Sequence, residues 1–593
     1  MNEENLDIEL QEEYAKFLTK EFAFFLPGIS PEKIYEWNLS LVRASKQGSL
    51  AVPVGNRVPP ESDLFKTRGN LLYFHKTFKR LKYLEEGFRS LLALQNSEEN
   101  SKKIPSVIGD ITETNPLLIR KGSQDFVLCG EGEQRKALEA ALAHPFFVLT
   151  GGPGTGKTTV IANLLRGLVR LGYSSSDIGL AAPTGRAAQR LKESLDNSLS
   201  FAKRKEESDL SLSGLSASTL HRLLQYNPRR KSYKFGESFP LPYKVIVIDE
   251  ASMVDLNMMS RLLEALPVSQ KKNFRLILLG DANQLPSVEA GAILSDLVKA
   301  LAKVKSPHFL ELQVSRRQEE GAGSISQAAR ICIRENGSLR DFQSSAVNEI
   351  SLENLESALG EKGFFTIRKE DSKDLETLLE TYSDKAILPN LENLPDPKDS
   401  NAIQRYLTKD INRSRILTIL RNGFYGSDSI NRRLTLSLLS RKKERIVRIG
   451  NRTYFPGLPV MITRNDRARG VFNGDTGLVL EMETPNGEKE LRALFLIEGT
   501  IRDFALDTLP SHEPAFAITV HKSQGSEYDS ILILFPPDPQ DLDPNDLSLE
   551  LFRKEILYTA ITRAKQNVIL SAGEKLLGFA LENRFERITG FEL

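Results

Sequence analysis

The stretch Gly151-Gly-Pro-Gly-Thr-Gly-Lys-Thr-Thr159 constrains this chain more than any other. It follows an apolar run, Phe146-Phe-Val-Leu-Thr150, and precedes a helical pattern from Val160 to Arg170. Strand, glycine-rich turn and helix, in that order, frame a phosphate-binding loop. Glycines let the backbone curl until several N–H groups face one anion, and the positive end of the new helix adds to them. Gly151, Gly152, Pro153, Gly154, Thr155, Gly156 and Thr159 form that cradle. Lys157 brings a point charge to the β- and γ-phosphates, and the Thr158 hydroxyl is placed for Mg2+. An ordinary glycine-rich turn lacks the full pattern in this context. The loop specifies a nucleoside triphosphate and an α/β fold. It does not specify what the energy is used for.

The 593 residues suggest roughly three to five domains. With 40% hydrophobic and 26% charged residues, a soluble, core-forming protein is expected. The formal net charge is +1, so any track for nucleic acid must be local. Cys129 and Cys332 are far apart, with no CxxC, which leaves no cysteine-based zinc or iron–sulfur site and fits a reducing compartment. The acidic start Met1-Asn-Glu-Glu-Asn-Leu-Asp is unlike a signal peptide. No apolar run approaches the ~20 residues that span a bilayer. A cytoplasmic protein without membrane contact is expected.

Residues 1–115 carry no recognisable chemistry and read as a mainly helical docking domain. Leu10 to Phe25 and Tyr73 to Leu94 are predicted amphipathic helices, and Ser49 to Val54 a short strand. Gln134, upstream of the phosphate loop, has a side-chain amide able to pair with an adenine edge. Ile178 to Ala182 is a predicted strand opening into Pro183, Thr184 and Gly185, whose helix start suits a phosphate of a bound strand. Asn197 to Gly214 is polar and reads as a flexible insertion. Thr219 and His221 follow; the histidine is either structural or a backbone contact. Asn227 to Lys234 is either a hairpin touching nucleic acid or a solvated face.

Val245-Ile-Val-Ile-Asp-Glu250 is predicted to be a central parallel strand ending in two carboxylates at the ligand-binding edge. Asp249 suits Mg2+, and Glu250 suits polarisation of the attacking water. Leu276 to Pro286 is a further strand whose Gln284 would sit near the γ-phosphate. Arg316 and Arg317 follow a strand-like start and offer a guanidinium for the charge of the transferred phosphoryl. Residues 335–410 are polar, with a Pro-rich segment, and read as a surface excursion. Order resumes from Ser414 to Asn431, which includes Gly423-Phe-Tyr-Gly426. Gly457 to Asn465 is a predicted strand, and Asn473-Gly-Asp-Thr-Gly477 a type I′ hairpin turn. With Leu478 to Glu483 and Leu491 to Ile497 it suggests a small β-barrel. Thr519, His521, Lys522 and Gln524 cluster donors suited to phosphates. Arg563, on a predicted helix start from Leu557, is a candidate second arginine finger.

The ordered set GGPGTGKTT, APTGRAA, TLHRLL, VIDEAS, GDANQLP, the Arg317 motif, TVHKSQGSE and YTAITRA resembles a superfamily 1 DNA helicase. GLPVMITRND with NGDTG, and HKSQGSE, resemble its RecD branch, the alpha subunit of exodeoxyribonuclease V. The resemblance covers residues 125–593, with weaker matches at Gly48-Ser-Leu-Ala-Val-Pro and Asn70-Leu-Leu-Tyr-Phe-His. It implies two RecA-like motor domains of α/β class, residues 116–310 (with an insertion at about 197–240) and 311–593, with ATP between them. The second would carry an SH3-like β insertion at about 475–512. Lys157, Thr158, Asp249, Glu250, Gln284, Arg317 and Arg563 fall on the family's ATPase positions, and Glu527 joins its nucleotide site. Arg316 competes with Arg317, which fits better beside Gln318. Further implications are ATP and Mg2+ as cofactors, 5′→3′ movement on single-stranded DNA from DNA ends, and a heterotrimer with beta and gamma subunits. Two other readings stand beside this one. The first is a stand-alone helicase of the long RecD type, disfavoured by the lack of tandem helix-hairpin-helix units. The second is a nucleotide-gated DNA-binding subunit without translocation, disfavoured by the intact Asp249–Glu250 pair.

Overall fold

In the computed structural model the described residues are 3–593 except 56–58, 60–61, 122–123, 269–272, 288, 315–322, 335–336, 346–347, 368–371, 442–444, 467–468, 484–486, 498, 537–550 and 585–586. The chain divides into two units: Met1–Val314 with Glu586–Leu593, and Ser315–Phe585. Among the described residues no helix is long and apolar enough to cross a membrane.

The first unit begins with two paired helices, α1 (Glu3–Phe25) and α2 (Pro31–Lys46). Ser30 caps α2 through the Lys33 N–H, and Pro31 stands in its first turn, where a missing donor costs nothing. Leu26, Ile34, Leu41, Phe65 and Leu72 make a small core of their own. The next helix, α3 (His75–Leu92), behaves differently. Its Leu81, Leu84, Phe88 and Leu91 pack into the same cluster as Phe146, Ile246 and Ile248. Early in sequence, α3 is therefore part of the core beneath the first large sheet.

That sheet has six parallel strands: β1 (Phe146–Gly151), β2 (Ile178–Ala182), β3 (Ala217–Thr219), β4 (Val245–Ile248), β5 (Arg275–Gly280) and β6 (Phe309–Leu312), in the order β6-β1-β5-β4-β2-β3. The central strands read as unbroken apolar runs because both faces are covered. Phe146, Val148, Ile246, Ile248, Leu276 and Leu278 face one core. Phe147, Leu149, Val245, Val247, Ile277 and Leu279 face the other.

Asn197 to Gly214 corrects the expectation of a flexible insertion. The helix from Gly185 runs to Ser200, and Glu207–Ser213 is helical again. Buried Arg166 and half-buried Arg170 donate to Asp209 at 2.9 and 2.8 Å. Burial alone would raise Asp209, yet these two guanidinium groups hold its carboxyl below the usual range. Tyr226–Asn227 and Ser232–Tyr233 pair as a short antiparallel hairpin across the stretch Asn227–Lys234.

Residues 587–593 belong to the first unit although the second unit precedes them. Arg587 donates to the carbonyls of Ser287, Glu289 and Gly291 at 2.7, 3.1 and 3.1 Å. The Ile588 carbonyl accepts from Leu50 and Ala51. Arg68 reaches the Gly590 carbonyl at 2.9 Å, and Phe591 lies edge-on to Phe88.

The second unit holds another six-stranded parallel sheet: β7 (Asn348–Glu349), β8 (Gly363–Ile367), β9 (Ser414–Thr418), β10 (Ala517–Thr519), β11 (Tyr528–Leu534) and β12 (Ala564–Ser571). Its order is β7-β8-β12-β11-β9-β10. The surface excursion expected over 335–410 is corrected here. It supplies two strands of this sheet, and Phe364, Phe365 and Ile367 are buried. Its helix Ser400–Thr408 covers a five-stranded antiparallel sheet through Ile403, Tyr406 and Leu407, against Leu478, Leu480 and Leu494. That sheet runs in the order Thr500–Ala505, Lys489–Ile497, Thr476–Glu483, Pro459–Ile462, His512–Pro514.

The turn at Asn473-Gly474 is not type I′. Gly474 has φ +92° while Asn473 does not enter the left-handed region, and Asp475 N–H donates to the Phe472 carbonyl. One positive φ, at the third position, is the type II pattern. The turn closes the end of a longer loop after Ile462, so it need not match the twist of two directly joined strands.

Candidate active site

The phosphate loop forms as expected between β1 and the helix Lys157–Arg170. Gly156 caps that helix at φ +90°, a left-handed conformation that favours glycine, and a Cβ there would displace the Gln134 amide, whose Nε2 lies 2.2 Å from that position. Thr155 Oγ1 donates to the Gly152 carbonyl at 2.8 Å and braces the curl. Lys157 Nζ donates to the carbonyls of Gly151 and Gly152 at 2.5 and 3.1 Å, which holds its charge inside the loop. Thr158 follows in the first turn. Gln134 is buried on the helix Gly132–Ala143, and its Nε2 donates to the Thr155 carbonyl at 2.8 Å. Its amide thus supports the loop directly.

Asp249 follows β4 and receives the Glu250 N–H at 2.8 Å. Burial and the neighbouring Glu250 carboxylate push Asp249 up to about 6, against the pull of Lys157 and Arg190. Two carboxylates crowded beside a phosphate loop are a donor set that suits a hard divalent cation. Glu250 itself sits at φ 50°, ψ 40°, a left-handed conformation that costs a non-glycine residue roughly 1–2 kcal/mol. This conformation turns the chain at the end of β4, between the sheet and the short helix Ala251–Met253.

Gln284 is buried after β5, and its Nε2 donates to Asp281 Oδ2 at 3.1 Å. The Ala282 N–H donates to Thr150 Oγ1 at 3.2 Å, which ties the ends of β1 and β5 together. The first unit therefore brings Gln134, Lys157, Thr158, Asp249, Glu250 and Gln284 to the carboxyl edge of one sheet. Sequence reasoning missed Asp281, Thr150 and Glu133. Asp281 and Thr150 orient the Gln284 turn. Glu133 Oε2 accepts from Gln313 and Val314 N–H at 2.8 and 3.2 Å, anchoring the chain just after β6. The polar tip Gly280-Asp281 was the signal for the first of these. Arg316 and Arg317 lie outside the described residues.

In the second unit Arg563 is buried and follows the helix Lys554–Thr562. It thus stands at a helix end, not the helix start expected from the sequence, because the helix begins upstream at Lys554. Its guanidinium donates to the carbonyls of Thr559 and Ser526, each at 3.2 Å. Glu527 follows Ser526, half-buried.

The residues expected to face DNA fall into two sets. In the first unit, Pro183, Thr184 and Gly185 follow β2, and Thr219 ends the adjacent β3. The hydroxyls of Thr184 and Thr219 cap helices, accepting from Ala187 and Arg222 N–H. His221 packs its ring against Tyr226 and Tyr233 of the hairpin. In the second unit, Thr519 ends β10, and His521 and Lys522 form the turn beyond it. Lys522 pairs with Glu513 at 2.6 Å.

A parallel sheet with a phosphate loop, an acidic pair on the next strand but one and a buried glutamine after the strand between them defines a P-loop ATPase. The family described as "AAA domain" matches residues 134–290, and that described as "UvrD-like helicase C-terminal domain" matches 514–571. The chain is 33% identical over 539 residues to "RecBCD enzyme subunit RecD" of Mycobacterium tuberculosis, covering 90% of this chain and 81% of that protein. It is 33% identical over 485 residues to "RecBCD enzyme subunit RecD" of Haemophilus influenzae, covering 77% and 71%. Against "ATP-dependent RecD2 DNA helicase" of Deinococcus radiodurans it is 28% identical, covering 93% of this chain and 62% of that protein. A solved structure, Bacteroides Pif1 bound to ssDNA, covers 78% of this chain and 95% of its own, at 18% identity and a TM-score of 0.38. The chain belongs to the RecD family of superfamily 1 helicases.

Proposed function

We propose that this chain is an ATP-driven 5′→3′ DNA helicase subunit of a RecBCD-type exodeoxyribonuclease V, acting at double-strand ends in recombinational repair. The supporting observation is the convergence of Lys157, Asp249, Glu250 and Gln284 at one sheet edge in a RecD-family chain. ATP is the substrate. Thr158 and Asp249 would hold Mg2+, which neutralises charge on the phosphate oxygens. Glu250 takes the proton of the attacking water, and Gln284 senses the γ-phosphate. Arg317 and Arg563 are proposed to supply the guanidinium groups of turnover. Pro183, Thr184, Gly185, Thr219, His221, Thr519, His521 and Lys522 are proposed contacts to single-stranded DNA, chiefly through backbone phosphates. Duplexes with a 5′ or a 3′ overhang test this reading. Unwinding is expected from the 5′ overhang, with both strands full-length afterwards because the chain is proposed to cut no DNA itself. Unwinding only from the 3′ overhang sinks the polarity, and Mg2+-dependent shortening by the pure chain sinks the second half.

The proposed heterotrimer has its support on α1. Leu10, Tyr14, Phe17, Phe24 and Phe25 are exposed, Phe24 by 82%, and their spacing places them on one helical face. An exposed apolar stripe of this kind marks a protein interface. Replacing Phe17 and Phe24 together by aspartate is expected to release the beta and gamma subunits in co-purification. ATP turnover of the free chain should stay within about twofold, since exposed positions perturb the fold little. Undiminished assembly would place the docking surface elsewhere. Deleting the whole N-terminal stretch is a poorer test, because α3 carries core residues of the first sheet.

A further inference from the structure

Gly423-Phe-Tyr-Gly426 has no part in the roles assigned above. It lies in the second unit on the loop that follows β9. Thr418 of β9 pairs in parallel with Thr519 of β10, so this loop and the His521–Lys522 turn leave the sheet side by side at one edge. A chain of charges joins them. Lys522 pairs with Glu513 at 2.6 Å, Arg421 approaches Glu513 at 4.0 Å, and Arg421 approaches Asp428 at 3.4 Å.

The loop is wound tightly. The N–H groups of Gly426, Ser427 and Asp428 donate to the carbonyls of Gly423, Leu420 and Arg421, each at 3.1 Å. A Cβ at Gly426 would stand 2.2 Å from the Asn422 carbonyl oxygen and 2.4 Å from that of Arg421, so the closure requires glycine. The closed loop buries Tyr425 and leaves Phe424 42% exposed. Phe424 is also held from behind. The Tyr425 ring meets it edge-on at 5.1 Å, and the Arg433 guanidinium lies 3.8 Å from its centroid while bonded to Glu376. A large apolar ring is thus fixed in place and presented to solvent.

We propose that Phe424 is a stacking platform for one base of a bound single strand. The proposal rests on the DNA-motor reading and deepens it. Stacking on an aromatic face is tolerant of sequence, because every base has a π-face, and it combines with cationic tracking of the backbone. A phenylalanine offers no hydrogen bond to a base edge, so this position reads no sequence. Arg433 beneath the ring fixes its orientation in advance, which lowers the ordering cost on binding.

The test uses the full chain and oligo-dT carrying a single 2-aminopurine, moved one position at a time. Wild type is expected to quench the fluorophore at one register. Phe424→Ala is expected to weaken binding about tenfold, within the range for one lost stack, and to remove that quench. Phe424→Trp should restore both. Phe424→Leu, which keeps apolar bulk without the π-face, should behave like alanine; if leucine restores binding, the ring is structural and the proposal fails. Wild-type affinity and quenching in Phe424→Ala would overturn it too, pointing to a protein contact at this tip. If wild type itself binds no single strand, the DNA-motor reading falls first, and the platform with it.

Discussion

Lys157→Ala is expected to lower ATP turnover by a factor on the order of 10³, the scale seen when one preorganised charge is removed from a developing anion. The structure explains why the fold should survive. Among the described residues Lys157 Nζ bonds to the Gly151 and Gly152 carbonyls of its own loop, and the side chain is half-buried. The loop keeps its other braces, Thr155 on Gly152 and Gln134 on Thr155. Stability should change by less than about 1 kcal/mol. Turnover assayed beside a thermal melt checks both. Normal hydrolysis by a folded mutant would remove the phosphate-loop assignment.

Glu250→Gln is expected to retain ATP binding and slow hydrolysis by roughly 10²–10⁴, the contribution of a positioned general base. Glutamine matches glutamate in shape and in tolerance of the left-handed backbone at φ 50°, so the swap isolates basicity. An amide cannot take the proton of the attacking water. Single-turnover hydrolysis measured beside equilibrium nucleotide binding separates the two steps. Unaltered single-turnover rates would move the base to another residue.

The nucleotide site was legible because each part is local. A glycine loop, an acidic pair after an apolar strand and the polar tip carrying Gln284 each announce themselves within a few residues. The misread regions depend on distant partners. Asn197 to Gly214 looks like a loop because Asp209 is satisfied by Arg166 and Arg170, about forty residues earlier. Residues 335–410 look like an excursion because β8 is five residues long in a polar setting, and only its pairing with β12 makes it a sheet strand. Arg563 was placed at a helix start reckoned from Leu557; the helix begins three residues earlier, at Lys554, whose Nζ bonds the distant Arg334 carbonyl. Asp281 and Glu133 escaped notice because acceptors of backbone N–H groups leave no periodic trace.

The return of residues 587–593 to the first unit has a consequence for biosynthesis. A chain made from its amino end presents Leu50, Ala51, Tyr73 and Phe88 long before Ile588 and Phe591 exist to cover them. The segment after Gln284 likewise waits for Arg587 to hold the carbonyls of Ser287 and Gly291. Domains generally fold as units during synthesis. Here the amino-terminal unit reaches its final packing only after the ribosome has made all of the other. Completion of this unit thus becomes a late event, keyed to translation of residues 587–593.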